Sequence, residues 1–214
     1  MISVVVSDFG GVLTNPLWEA FEGVNAALGI PPRELNTAIT ALTAETGTHP
    51  LHALERGEMS EHDFLSALDR HLTEALGRPS RMLEFSEHYF EGLSANQPML
   101  EELAALQERG YRLALLTNNV REWEPRWRAM FPVDALFEVV VDSAFVGMRK
   151  PEPEIYELMC SRLGVEAGAC VLVDDFAVNC EGAREAGMHA VRFESNDQTL
   201  GELRALLSEQ GVHG

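Results

Sequence analysis

The stretch ISVVVSDFGGVLT, residues 2–14, joins an apolar run to an aspartate and a pair of glycines. An uninterrupted apolar run of this length is typical of a parallel strand that is covered on both faces of its sheet. Asp8 stands where that strand would end, and Gly10 and Gly11 would let backbone N–H groups approach an anion closely. The stretch therefore predicts a strand followed by a ligand-binding loop.

Four later runs have a similar apolar character, and each ends in small or polar residues. They are YRLALLTN (111–118), LFEVVVDSA (136–144), ACVLVDDF (169–176) and MHAVRFE (188–194). Between the later runs, apolar residues recur at helical spacing in segments 98–110, 152–164 and 178–187. Each of these segments ends at a glycine. Strand and helix in alternation predict an α/β fold with a Rossmann-like, doubly wound parallel sheet.

The chain between the first and second runs lacks a good strand pattern and shows helical spacing instead. The segments that carry this spacing are 17–29, 32–45, 60–76 and 81–93. Pro50 disfavours a helix that runs through both His49 and His52. This connection is far longer than one crossover helix needs. We therefore predict an all-helical insertion of residues 15–95 within a core domain formed by residues 1–14 and 96–214.

The composition disfavours several classes of partner. Sixteen basic and 34 acidic residues give the 214-residue chain a net charge of −18, whereas binding a nucleic acid requires a basic surface. No apolar stretch approaches the ~20 residues that span a bilayer, and the first residues lack a signal-peptide pattern. The three cysteines form no C-x-x-C pair, so they indicate neither a disulfide framework nor a zinc site. We expect a cytoplasmic protein without nucleic-acid or membrane partners.

Polar side chains stand at the ends of three predicted strands and at the start of one helix. They are Asp8, Thr117 with Asn118, Asp174 with Asp175, and Lys150 just before Pro151. Ligands of an open parallel sheet bind outside the carboxyl ends of its strands. A lysine in such a crevice can pair with both a carboxylate and a phosphate. If the three strands are neighbours, these side chains converge on one site.

Four motifs in order carry a resemblance to a known family. They are DFGGVLT (8–14), LLTNN (115–119), RKPEPEIY (149–156) and VLVDDFAVN (171–179). The chain resembles the haloacid dehalogenase-like (HAD) hydrolase superfamily, and the helical insertion resembles the C1 cap of its subfamily I. VGMRKPEPEIY (146–156) is especially similar to the N-terminal phosphatase domain of soluble epoxide hydrolase. The resemblance implies a magnesium-dependent phosphatase that acts on a small phosphorylated metabolite.

The resemblance also implies a role for each matched residue. Asp8 would be the nucleophile that forms an aspartyl-phosphate, and Lys150 would offset charge in the transition state. The remaining phosphate-binding positions are Gly11, Thr117 and Asn118. Asp8, the carbonyl of Gly10 and Asp175 would hold Mg²⁺, supported by Asp174 and Asn179.

Gly10 departs from the family pattern, since most of its phosphatases have a second aspartate there as general acid and base. Loss of such a group costs about 10²- to 10⁴-fold in rate. We expect weak activity, or activity restricted to leaving groups that depart readily, such as acyl or anomeric sugar phosphates. Two alternatives stay open: a non-catalytic protein that binds a phosphometabolite, and a metal-independent 2-haloacid dehalogenase.

The cap is expected to set specificity, because its side chains would close over the crevice and exclude water. Trp18 and Phe21 are candidates for this role. The sequence does not identify the substrate, and the resemblance leaves a homodimer open.

Overall fold

The computed structural model describes residues 1–209 and contains one five-stranded sheet. Its strands are β1 (Val4–Ser7), β2 (Arg112–Thr117), β3 (Val139–Asp142), β4 (Cys170–Asp174) and β5 (His189–Arg192). All pairings are parallel, in the order β3-β2-β1-β4-β5. Each predicted run contains one of these strands, which confirms the α/β, doubly wound fold. Because β1 lies between β2 and β4, three of the polar strand ends are neighbours.

Both faces of β1 are covered, as its uninterrupted apolar sequence predicts. Val5 packs in a cluster with Leu103 and Trp127 on one face of the sheet. Val4 and Val6 belong to the cluster on the other face. All four residues of the strand are fully buried. Strand β1 is therefore a rigid support for Asp8, the residue that follows it.

The helical insertion contains five α-helices. They are α1 (Leu17–Leu28), α2 (Pro32–Thr46), α3 (Pro50–Glu55), α4 (Glu61–Leu76) and α5 (Phe85–Glu91). Their inner faces form a separate apolar cluster that includes Val24, Leu42 and Leu68. Four of these helices match predicted segments.

Helix α3 lies in the stretch that carries His49 and His52. It begins at Pro50, and His49 caps it by accepting a hydrogen bond from the Leu51 N–H at 3.3 Å. Proline fits the first helical position, where its missing N–H would have no partner in any case. His49 therefore lies outside the helix and His52 inside it, so no helix runs through both residues, as the sequence predicts.

The remaining helices belong to the sheet-containing part. They are α6 (Gln97–Glu108), α7 (Glu124–Arg128), α8 (Val133–Leu136), α9 (Ser143–Val146), α10 (Pro153–Leu163), α11 (Ala177–Glu185) and α12 (Asn196–Glu209). Helices α6, α10 and α11 match the three predicted segments. Across the residues described, none of the helices has the length and apolar character needed to cross a membrane.

The chain enters and leaves the helical insertion at adjacent positions. Thr14 and Ala95 form an isolated antiparallel bridge. The Asn15 N–H donates to the Ser94 carbonyl at 2.9 Å, and the Asn96 N–H donates to the Leu13 carbonyl at 2.9 Å. The predicted limits of the insertion, residues 15 and 95, fall within this pair of connections. The division into two domains stays a prediction.

The helical insertion contacts the sheet-containing part beside Lys150. Arg149 Nε lies 2.5 Å from Glu55 Oε2, and Arg56 pairs with Glu152. Gly57 has a φ of +67°, and a Cβ atom there would lie 2.2 Å from the Ala144 carbonyl oxygen. Only glycine permits this close approach. The insertion is thus held over the carboxyl ends of the strands.

Candidate active site

Asp8 lies at the carboxyl end of β1 with its carboxylate held on one side. Its N–H donates to the Val173 carbonyl at 2.9 Å, which ties the residue to β4. Its Oδ1 accepts a hydrogen bond from the Phe9 N–H at 2.7 Å and lies 2.9 Å from Lys150 Nζ. Burial raises the pKa of Asp8 to about 8, against the opposing charge of Lys150. The carboxylate is fixed in orientation and depends on a nearby cation for its charge.

Lys150 supplies that cation from a fully buried position. Its Nζ lies 2.9 Å from Asp8 Oδ1 and 2.5 Å from Asp174 Oδ2. Burial alone would lower the pKa of Lys150, but the carboxylates of Asp174 and Asp8 raise it above its ordinary value. Lys150 is also the only lysine in the chain, beside 15 arginines, a compositional signal that our sequence analysis missed.

Asn118 positions the backbone of Lys150. Its Oδ1 accepts a hydrogen bond from the Lys150 N–H at 2.8 Å, and its Nδ2 donates to the Lys150 carbonyl at 3.0 Å. The side chain therefore joins the end of β2 to the loop before α10. The phosphate-binding role predicted for Asn118 rests on its backbone and stays a prediction.

Asp174 has a protein partner on each carboxylate oxygen. Oδ2 faces Lys150, while Oδ1 accepts from the Phe176 N–H at 2.9 Å and from Asn179 Nδ2 at 2.9 Å. Asn179 is fixed in turn, because its carbonyl accepts from the Tyr156 hydroxyl at 2.8 Å. Asp174 and Asn179 thus hold each other and Lys150 in place, and their predicted supporting role at the metal stays a prediction.

Asp175 differs from Asp174 in having an unsatisfied atom. Its Oδ1 is buried and has no hydrogen-bond partner among the residues described. Oxygen atoms of Asp8, Asp174 and Asp175 lie within 4.8 Å of one another. Burial, with the charge of Asp174 in addition, raises the pKa of Asp175 to about 6. Because Mg²⁺ prefers oxygen ligands and offsets clustered carboxylates, the residues present fit such an ion.

Gly11 makes room for Asp175. Its φ is +74°, and a Cβ atom there would lie 2.5 Å from Asp175 Oδ2. A side chain at this position would therefore displace the carboxylate. The Gly11 N–H donates to Thr14 Oγ1 at 2.9 Å, so in this structure it serves the loop itself. Its predicted contact with phosphate stays a prediction.

Gly10 lines the crevice beside Asp8. A Cβ atom at Gly10 would lie 3.0 Å from Cδ1 of Leu17, the first residue of α1. The place of the expected second aspartate is therefore partly occupied by an apolar side chain. The carbonyl of Gly10 as a metal ligand stays a prediction.

Thr117 ends β2 beside Asp142, which ends β3. Thr117 is buried and lines the crevice together with Asn118 and Asn119. The Asn119 N–H donates to Ser143 Oγ at 3.0 Å, an interaction that joins two neighbouring strand ends. Asn119 and Ser143 were missed as site-supporting residues, because nothing in their spacing indicates which groups they contact.

A cavity of about 430 Å³ extends from Asp8 into the helical insertion. Its polar end is formed by Asp8, Thr117 and Asn118, and most of its remaining walls are apolar or aromatic. Phe21 lines this cavity, and its predicted role in specificity stays a prediction. Trp18 is exposed and is not among the residues that line it.

Comparison with known proteins gives a consistent result over most of the chain. A model described as haloacid dehalogenase-like hydrolase matches residues 2–187. A phosphatase of Mycobacterium tuberculosis is 32% identical, over 99% of this chain and 96% of that protein. Bifunctional epoxide hydrolase 2 of Mus musculus is 27% identical over 98% of this chain, which spans 39% of the mouse protein.

A similar fold occurs among solved structures. One is a HAD family enzyme of Bacteroides thetaiotaomicron in complex with magnesium and inorganic phosphate. It has a TM-score of 0.66 and 22% sequence identity, over 90% of this chain and 94% of that one.

Proposed function

Since the chain belongs to the haloacid dehalogenase-like hydrolases, we propose that it is a magnesium-dependent phosphatase that uses Asp8 as the phosphoryl acceptor. The observation that carries this proposal is the buried arrangement in which Lys150 Nζ lies 2.9 Å from Asp8 and 2.5 Å from Asp174. Phosphoryl transfer needs a fixed nucleophile and positive charge beside the developing anion. This arrangement supplies both.

The reaction proceeds in two displacements. A carboxylate oxygen of Asp8 bonds to phosphorus while the bond from phosphorus to the leaving oxygen breaks, and the electron pair departs with that oxygen. The leaving group then takes a proton from solvent. Water then bonds to phosphorus while the bond from phosphorus to the Asp8 oxygen breaks. The proton of the water passes to solvent, inorganic phosphate is released, and the carboxylate of Asp8 is restored.

The residues around Asp8 divide the remaining tasks. Lys150 favours the ionised form of Asp8 and offsets negative charge on the transferring group. Thr117 and the backbone beyond β2 face the same crevice and are proposed to donate hydrogen bonds to phosphoryl oxygens. Asp8, Asp175 and the Gly10 carbonyl are proposed to hold Mg²⁺, which supplies further charge neutralisation when bound. Asp174 orients Lys150 and is itself held by Asn179.

Gly10 is expected to limit the rate of the first displacement. No side chain at this position protonates the leaving oxygen, so the rate of the first displacement depends on how readily that oxygen departs. The same reasoning favours a phosphatase of limited substrate range over one for simple alkyl phosphates.

A direct test measures hydrolysis of 4-nitrophenyl phosphate with Mg²⁺ and with EDTA. We expect activity only with Mg²⁺, and we expect Asp8→Asn to abolish it. Equal activity in Asp8→Asn would contradict the proposal. Binding of phosphate without turnover by the wild type would favour the non-catalytic alternative. Halide release from a 2-haloacid in EDTA would favour dehalogenation.

The expected partners, cellular location and oligomeric state of the protein stay proposals as well. The net charge of −18 favours a small phosphorylated substrate over a nucleic-acid partner. Cell fractionation tests the proposed cytoplasmic location and the proposed lack of a membrane partner. Measurement of the mass in solution tests the proposed homodimer.

A further inference from the structure

The cavity beyond Asp8 is apolar on nearly every side that the helical insertion provides. Ile39 of α2, Leu65 and Leu68 of α4 and Phe85 of α5 are among the side chains that form these walls. A volume of about 430 Å³ lies within the ordinary range of small-molecule sites, ~300–1,000 Å³. The space therefore accommodates a phosphate and an organic body of one or two rings.

Several of the polar side chains in these walls already have partners, whereas Trp127 Nε1 has none among the residues described. Glu55 is paired with Arg149 at 2.5 Å. Glu61 Oε1 accepts a hydrogen bond from Trp123 Nε1 at 2.7 Å, and His49 accepts one from Leu51. The paired groups of Glu55, Glu61 and His49 are not free to satisfy hydroxyls of a substrate. A buried hydroxyl without a partner costs roughly 1–3 kcal/mol. A sugar has several hydroxyls, so this cavity disfavours a sugar as the body of the substrate.

The mouth of the cavity is also apolar. Phe21, Leu51, Phe176 and Val178 line the cavity, and each is among the exposed large apolar side chains of the protein. Exposed apolar groups that surround a cavity are typical of a ligand-binding surface. The body of the ligand is therefore expected to be apolar along its whole length.

Aromatic rings form one wall. The rings of Tyr89 and Trp123 stack with centroids 4.8 Å apart, and Phe85 lies 5.7 Å from Tyr89. All three line the cavity. A planar ring of a ligand gains further stabilisation by stacking on or against such a wall.

These observations, together with Gly10, narrow the substrate class. We infer that the substrate is the phosphate ester of an apolar phenol of one or two rings; this inference rests on the phosphatase function proposed above. In the first displacement the bond from phosphorus to the aryl oxygen breaks. The electron pair of that bond stays on the oxygen, and the leaving group departs as a phenolate. A phenol has a pKa of about 10, so its anion departs without a positioned acid far more readily than an alkoxide. Of the phosphates that Gly10 alone would permit, the anomeric sugar phosphates lack the apolar ring that the cavity favours.

The test compares two aryl phosphates with similar leaving groups and different bodies. The probes are 2-naphthyl phosphate and free O-phosphotyrosine, both esters of phenols with a pKa of about 10. We expect kcat/KM for the naphthyl ester to be at least about 10-fold higher, which is within the range that added apolar contact provides. Similar values, or a preference for phosphotyrosine, would overturn the inference.

A matched pair of variants locates the preference in the cavity. Leu51 and Leu83 both belong to the helical insertion and are 37% and 51% exposed, but only Leu51 lines the cavity. We expect Leu51→Asn to reduce the naphthyl preference by about 5-fold and Leu83→Asn to leave it unchanged. Equal effects of the two variants would contradict a role for this cavity.

Binding in Asp8→Asn separates this inference from the proposed function. If the wild type fails to hydrolyse either probe, or if Asp8→Asn hydrolyses both, the proposed function fails. Calorimetric binding of both probes to Asp8→Asn with Mg²⁺ then decides the ligand class. Binding of 2-naphthyl phosphate that is about 10-fold tighter supports an apolar aryl ligand, and equal binding of the two probes contradicts it.

Discussion

The side chain of Asn118 is joined to the backbone of Lys150 by two hydrogen bonds, 2.8 Å to its N–H and 3.0 Å to its carbonyl. This pair connects the strand that ends in Thr117 to the loop that carries the only lysine. The position of the Lys150 side chain therefore depends on a residue whose own side chain is hydrogen-bonded to the Lys150 backbone.

Asn118→Ala should lower kcat with a smaller effect on stability than on activity. A displacement of about 1 Å at a catalytic group costs up to about 100-fold in rate. The measurement is kcat for an aryl phosphate, compared with Asn36→Ala, which changes an exposed residue of α2. A kcat equal to that of the control would show that Lys150 is held in place without Asn118.

Most of the fold could be predicted from local patterns. Strands β1 and β4 are buried on both faces, so their uninterrupted apolar runs indicate a parallel sheet directly. The family predicted from four motifs is confirmed by the match over residues 2–187. The position of Asp8 could be predicted from the same patterns, because Asp8 directly follows the apolar run that forms β1.

The side-chain partners in the site could not be predicted. Asn118 was assigned to phosphate through its backbone, whereas its side chain contacts Lys150, a pairing that depends on two distant segments meeting in space. The apolar cavity was missed for a related reason. Leu65 and Leu68 have the same helical spacing whether that face packs solidly or borders a cavity. Phe21 and Trp18 likewise could not be told apart before the orientation of α1 was known.

Lys150→Met should destabilise the protein. It leaves the buried carboxylates of Asp8 and Asp174 without their cation, and breaking a buried pair in this way costs about 3–5 kcal/mol. The measurement is the free energy of unfolding in urea without metal. Adding Asp174→Asn to Lys150→Met should restore part of the stability but no activity. Wild-type stability in Lys150→Met would contradict the buried charge arrangement.

Gly10→Asp should raise activity most for poor leaving groups. The added carboxyl supplies the missing acid, worth about 10²- to 10⁴-fold, provided that Leu17 shifts from its contact 3.0 Å from the new Cβ. The measurement is kcat/KM for an alkyl and an aryl phosphate. Gly10→Asn is the control of similar size. An equal gain in both variants would exclude proton transfer as the cause.

Asp142→Asn should stabilise the protein increasingly as pH rises. Burial raises the pKa of Asp142 to about 7 from 3.8, so the folded state binds this proton more tightly than the unfolded state does. The stability that the proton provides is complete below pH 3.8 and is lost as pH rises toward 7. Asparagine does not ionise and can still accept the Ala144 N–H, now 3.0 Å from Asp142 Oδ1.

The advantage of Asp142→Asn should therefore grow by about 2 kcal/mol between pH 5.5 and pH 8, at 1.36 kcal/mol per pKa unit. Unfolding in urea at several pH values measures this difference. Asp197→Asn, at an exposed position in α12, should show no such growth. A constant difference across the range would mean that Asp142 is already ionised in the folded protein at pH 5.5.

Mg²⁺ should raise the melting temperature of the wild type and should have little effect on Asp175→Asn. The ion would satisfy Asp175 Oδ1, which has no partner among the residues described, and binding to the folded state alone is stabilising. Thermal unfolding with Mg²⁺ and with EDTA measures the difference. Equal shifts in the wild type and Asp175→Asn would place the ion elsewhere.

Chemical trapping of the covalent intermediate tests the central role of Asp8 most directly. During turnover of 2-naphthyl phosphate, borohydride should reduce the aspartyl-phosphate and convert Asp8 to homoserine, which mass spectrometry of the N-terminal peptide detects. We predict homoserine at position 8, dependent on substrate and absent from Asp8→Asn. Turnover without this product, or reduction at another carboxylate, would contradict the account.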